Sequence, residues 1–127
     1  MHTETRRIDQ LAIELAEETG FLSVVARGEA TLREFFLAID VVAVTVATQA
    51  HKRVLIDLIG VQQSLSFSEH LMLGSRVAER LAGAERIATV VPTQYRTGSS
   101  EKAARKGGLT LQAFVTRSDA LAWLTAP

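Results

Sequence analysis

The sequence predicts an α/β domain: one mixed, mostly parallel five-stranded sheet, an N-terminal antiparallel hairpin and about four helices. Three observations carry this. Val54-Leu55-Ile56-Asp57-Leu58-Ile59-Gly60-Val61 is almost wholly apolar, which suits a strand buried on both faces of a parallel sheet. Short apolar runs alternate along the chain with segments of helical period, the order that gives parallel pairing through right-handed crossovers. Two capping-box patterns, Thr31 to Glu34 and Ser66 to Glu69, mark helix starts, because hydroxyl and carboxylate together satisfy amides that have no partner in the first turn.

Taken in order, Leu11, Ile13 and Leu15 alternate with Glu14 and small residues, as a half-exposed strand does. Glu18-Thr19-Gly20 turns the chain into a second strand from Phe21 to Ala26. Beyond Thr31, residues Leu32, Phe35, Phe36, Ile39, Ala43 and Val46 share one helical face. Val41 to Val46 is rich in β-branched residues and favours strand by propensity, but the unbroken period from Leu32 decides for helix. The central strand runs from about Arg53 to Ile59. A helix follows from Ser66, with Leu71, Gly74, Val77, Ala78 and Leu81 on one face and Gly83 at its end. Arg86 to Val91 is a further buried strand closed by Pro92. A short helix spans Ser99 to Lys106 and stops at Gly107-Gly108. Thr110 to Val115 alternates as a strand, and Thr116 with Asp119 caps a last helix bearing Leu121, Trp123 and Leu124.

Composition narrows the function classes. At 127 residues, 47% of them hydrophobic, the chain reads as a single domain over 1–127 with a core of its own. Lys and Arg balance Asp and Glu at 14 each, so no global charge draws the protein to nucleic acid. There is no cysteine, which removes thiolate metal sites, disulfides and thiol nucleophiles. Met1 to Gln10 is polar and charged, unlike a secretory signal, and no apolar run approaches the roughly 20 residues of a membrane span. A cytoplasmic domain with at most peripheral membrane contact is the expectation.

The element order, with Asp57-Leu58-Ile59-Gly60-Val61 and the serine-rich turn after it, resembles the SpoIIAA-like or STAS domains, which include bacterial anti-sigma-factor antagonists. In that family a D-L-S-G-V strand end is followed by a D-S-S-G helix start whose first serine is phosphorylated in the regulatory members. Asp57, Leu58, Gly60 and Val61 match, and Ser66 falls at the phosphorylated serine. Leu65 replaces the aspartate, Phe67 the second serine and Ser68 the glycine. These departures are closer to the divergent SpoIIAA-like branch, which is also similar to the CRAL-TRIO lipid-binding domains. The resemblance implies strands in sequential order, helices mostly on one face, and a working partner that is a ligand, a membrane or a regulatory protein.

Two turns carry the candidate site. One, from Gly60 to Ser68, offers Gly60, Ser64, Ser66 and Ser68. Ser66 is both an N-cap paired with Glu69 and a candidate phosphoacceptor, since a phosphate there meets free amides and the positive end of the helix dipole. The other, from Pro92 to Ser100, offers Tyr95, Arg96, Gly98, Ser99 and Ser100, with Lys102, Arg105 and Lys106 nearby. It reads either as a seat for an anionic headgroup or as an ordinary capped helix with a solvated basic face. Both turns belong at the carboxyl ends of parallel strands, where such sheets place ligands. Phe35-Phe36 and Leu71-Met72-Leu73 cannot all face one core line, so either part of that surface lines a pocket or a contact with another chain, or the helix phase read from the pattern is off. His2, His51 and His70 have no metal-ligand spacing, and neither a P-loop nor a G-x-S-x-G elbow is present. The sequence therefore reads as a non-catalytic, cofactor-free binding domain acting as a homodimer, with a small amphiphile carrier and a Ser66 switch for a regulatory protein as the competing forms.

Overall fold

The computed structural model describes residues 3–49, 52–95 and 98–127. Strands β1 (Thr3–Ile8), β2 (Leu11–Glu18) and β3 (Phe21–Glu29) form an antiparallel meander. Parallel strands β4 (Arg53–Gln62), β5 (Arg86–Val90) and β6 (Leu111–Phe114) extend it in the order β1-β2-β3-β4-β5-β6. The sheet thus has six strands, not five. The added one is β1, built from the segment read above as a polar N-terminus. Its register sets Glu4 opposite Leu15 and Arg6 opposite Ile13, and Glu4 and Arg6 form an ion pair on this edge. An edge strand that buries neither face needs no apolar alternation, and its charges discourage pairing with another chain.

Helices α1 (Leu32–Gln49), α2 (Phe67–Arg80) and α3 (Ser99–Lys106) cover one face of the sheet, and α4 (Arg117–Leu124) covers the β4–β6 part of the other. The β-branched run in α1 is helical, with Phe35, Ile39, Val42 and Val46 buried along one line. Opposite, Ala120 and Leu124 of α4 pack on Leu55, Ala88 and Val90, and the Phe114 and Trp123 rings lie 5.8 Å apart. Arg53 and Arg86, the first residues of β4 and β5, hold the far end of α4. Arg53 donates to the Leu124 and Ala126 carbonyls at 2.8 Å each, and Arg86 to those of Trp123 and Ala126 at 3.0 and 2.9 Å. Cations there meet the negative end of the helix dipole.

Two local devices shape the space under α1–α3. The first is a β-bulge: Val25 pairs with Asp57 but Arg27 with Gly60, so β4 carries one residue more than β3. The bulge shifts the inward face by one, so Leu58 and Val61 both point beneath the helices while Ile59 is left 49% exposed. Asp57 steadies it by accepting from the Ile59 amide at 3.0 Å. The second is close helix packing. A Cβ at Gly74 would sit 2.3 Å from the Ser100 carbonyl oxygen, and one at Gly107 would sit 2.5 Å from the Ala78 Cβ. Only glycine lets α2 and α3 approach this closely.

Candidate functional site

Between the sheet and α1–α3 lies a cavity of about 170 Å³. Its walls are aliphatic and aromatic: Ile13 and Val24 from the sheet, Phe35 and Val42 from α1, Leu73 and Val77 from α2. Its polar lining residues are Gln63, His70, Thr89, Ser100 and Glu101. These come from the turn after β4, the first turn of α2, the end of β5 and the first turn of α3. All lie toward the carboxyl ends of the parallel strands, so the cavity is polar at that end and apolar at the other.

The polar end has one defining contact. His70 Nδ1 and Ser100 Oγ are 2.9 Å apart, joining α2 to α3 across the rim. Burial pushes the imidazole below its ordinary pKa, and the Glu69 charge pulls the other way more weakly, so the ring is neutral near pH 7. Glu101 is already engaged: its Oε2 accepts from the Ala113 amide at 2.6 Å and from Arg105 at 3.1 Å. No hydrogen bond joins the Thr89 hydroxyl to another described residue. Among the described residues, no lysine or arginine lines the cavity.

The two turns read from the sequence meet here, but they contribute different residues from those expected. Gly98 and Ser100 line the cavity, and Gly98 begins α3 at φ 81°, a left-handed conformation glycine adopts without strain. Ser64, Ser66 and Ser68 face solvent. Ser66 is the N-cap of α2, accepting from the Glu69 amide at 3.2 Å while its own N–H donates to the Glu69 carboxylate at 3.0 Å. Ser68 Oγ lies 3.2 Å from Ser66 Oγ. Gly60 sits at the exposed end of β4, where a Cβ would come within 3.2 Å of the Arg27 Cβ. Ser99 opens α3 and is half-buried. Tyr95 ends a short 3-10 turn, Thr93–Tyr95. Arg96, His2 and His51 lie outside the described residues. Lys102, Arg105 and Lys106 are exposed, and Arg105 is tied to the Leu111 carbonyl at 2.8 Å, so these three do not serve the cavity.

The apolar doublet and triplet divide as their helical phase requires. Phe35 and Leu73 turn into the cavity, and Phe36 lies 5.0 Å beneath the Arg76 guanidinium. Leu71 and Met72 remain exposed beside Phe67, which is 69% exposed. Sequence reading singled out His70 without assigning it to the site, and missed Gln63, Thr89 and Glu101 as lining residues. The one available signal was their shared place at strand and helix ends beside the two turns.

Among the described residues, no group of three His, Asp or Glu side chains is placed to hold a metal ion. No described helix is long and apolar enough to cross a membrane. Neither a protein-family model nor a curated protein sequence matches the chain. Solved structures do. An anti-sigma factor antagonist from Mycobacterium paratuberculosis aligns at a TM-score of 0.65, with 18% identity, over 93% of this chain and 97% of that one. The fold is SpoIIAA-like. A second likeness fits: an uncharacterised DUF3478-family protein with a SpoIIAA-like fold from Shewanella loihica aligns at a TM-score of 0.56 and 19% identity, over 95% of this chain and 98% of that one. On this SpoIIAA-like frame, Asp57 is a structural residue, bonded to the Ile59 amide and 3.3 Å from Arg117 Nη1, whose other terminal nitrogen reaches the buried Ser23 hydroxyl at 3.2 Å.

Proposed function

We propose that the protein is a non-catalytic binding domain that holds a small apolar or amphiphilic molecule beneath α1–α3, through a mouth between the 60–70 turn and the start of α3 at Gly98 to Ser100. The observation that carries this reading is the cavity itself, about 170 Å³ and walled almost wholly by apolar side chains, with residues of both turns at one end. An apolar engineered cavity of about 150 Å³ binds benzene, so this volume is enough for a ligand. A binding role is favoured over catalysis because His70 and Ser100, although within hydrogen-bond reach, have no carboxylate on the second ring nitrogen among the described residues to orient the pair. Native mass spectrometry of the protein purified from its own host tests the reading. A co-purifying small molecule lost on denaturation supports it; an empty cavity that also takes up no added apolar ligand sinks it.

A second reading has its own support. Ser66 is exposed at a helix N-terminus, beside an exposed apolar strip of Phe67, Leu71 and Met72 on α2, and one fold neighbour is an anti-sigma factor antagonist. Those features suit a Ser66 switch for a regulatory protein, or a second copy of the chain, docking on α2. The same spectrum serves as the test, through a phosphate-sized mass increment surviving denaturation and mapping to Ser66, or a homodimer mass.

A further inference from the structure

We propose that the cavity selects an uncharged ligand, one aromatic ring or a short alkyl chain in size, whose single hydroxyl or carbonyl bonds to the polar end formed by His70, Ser100 and Thr89. This rests on the cavity being the binding site and names the class of molecule it takes. Size follows from the volume of about 170 Å³.

Charge follows from the lining. A buried anion needs a cation or several donors to replace its water. No described lysine or arginine faces the cavity, and the basic residues of α3 point elsewhere. Arg96, two residues before Gly98, lies outside the described residues, and benzoate in the titration series reads any contribution from it. A cation fares no better, because the one lining carboxylate, Glu101, is occupied by the Ala113 amide and Arg105.

What the polar end offers is neutral hydrogen bonding. In either tautomer the His70–Ser100 pair presents one further donor and one further acceptor. If Nδ1–H donates to Ser100, the serine proton and bare Nε2 face outward; if the serine donates, Nε2–H and the serine lone pairs do. The Thr89 hydroxyl, which bonds no other described residue, adds a third group, on the strand beside Ala113, whose amide bonds Glu101, the residue after Ser100. A ligand hydroxyl, donor and acceptor at once, satisfies either arrangement. Among the described lining residues, the polar ones besides these three are Gln63, whose Oε1 accepts from the Leu65 amide, and the engaged Glu101. The rest of the wall is apolar and favours a ligand with a single polar group.

The test is a headgroup series on one ring: toluene, benzyl alcohol and benzoate, titrated into the wild-type protein at pH 8 and read by amide chemical-shift changes. One net hydrogen bond of about 1 kcal/mol makes benzyl alcohol roughly fivefold tighter than toluene. Benzoate is expected to be the weakest of the three. The pair Ser100→Ala and Thr89→Val removes the alcohol preference and leaves toluene binding intact; should that variant not fold, the wild-type series decides alone. Toluene binding as tightly as benzyl alcohol, or benzoate binding tightest, would overturn the headgroup assignment while leaving the cavity as the site. No binding by any of the three, toluene included, would overturn the cavity reading as well.

Discussion

Ser66 and Glu69 exchange two hydrogen bonds at the start of α2, so each substitution there loosens the turn that carries His70. Ser66→Ala should cost about 1 kcal/mol of stability, measured by urea unfolding, because one amide of the first turn loses its partner. A phosphate on the same hydroxyl would lie close to the Glu69 carboxylate and open the box, a coupling between cap and cavity rim that follows from spacing alone. His70 adds a pH dependence. Burial lowers its pKa from the ordinary 6.5, so the unfolded state takes up the proton first. Stability should fall as pH drops from 6.5 through the folded pKa and then level off; His70→Asn should flatten that segment of the profile. Glu34 acts lower: the Thr31 amide holds its carboxyl below the usual 4.5, so its contribution is present above that value and lost as pH falls through the lowered pKa. The Ser66–Glu69 box was legible because it spans four residues. The His70–Ser100 bond was not, because its partners stand thirty residues apart and meet only when α2 and α3 pack.

At the scale of elements, glycine at 74 sets how closely α2 meets α3. Alanine is the better helix former by about 1 kcal/mol, yet Gly74→Ala would press a methyl to 2.3 Å from the Ser100 carbonyl oxygen. Overpacking of this kind costs about 1–3 kcal/mol, so the sign should be destabilising in thermal melts, and the displaced α3 should weaken ligand binding. At the opposite face, Arg53→Ala removes two charge-assisted bonds to the end of α4 and should cost about 2 kcal/mol, with faster hydrogen exchange confined to α4. Helix positions were readable from period and caps, which are local signals. β1 was not, because Glu4, Thr5, Arg6 and Arg7 form a strand only through pairing with β2. The bulge in β4 escaped notice for a similar reason: its extra residue shows only against the register of β3.

For the whole molecule, the governing feature is a sheet dressed unequally on its two sides. α4 packs closely on β4–β6 on one side, while α1–α3 stand over a cavity of about 170 Å³ on the other. An underfilled apolar cavity forgoes contacts its walls could make, at a cost that grows with its volume. Ala38→Leu, which adds three carbons to the cavity wall, should raise stability by about 1 kcal/mol and abolish toluene binding together, read from melting curves with and without ligand. The unequal dressing was only half legible. That α/β connectivity would put ligand-facing turns at the strand ends followed from element order; that the chain underfills its own interior depends on side-chain volumes summed over five strands and three helices.

Empty interior space also has a mechanical meaning. Apolar walls keep water out of such a space, and where they do, unfolding lets water reclaim it, so the unfolded chain occupies less volume and hydrostatic compression favours it, in proportion to the space eliminated. The ligand-free protein should therefore unfold at lower pressure than the Ala38→Leu variant, and a bound guest should move the midpoint the same way. Followed by fluorescence of Trp123, which packs on the α4 side of the sheet, a pressure ramp would weigh the occupancy of the cavity without any probe placed inside it.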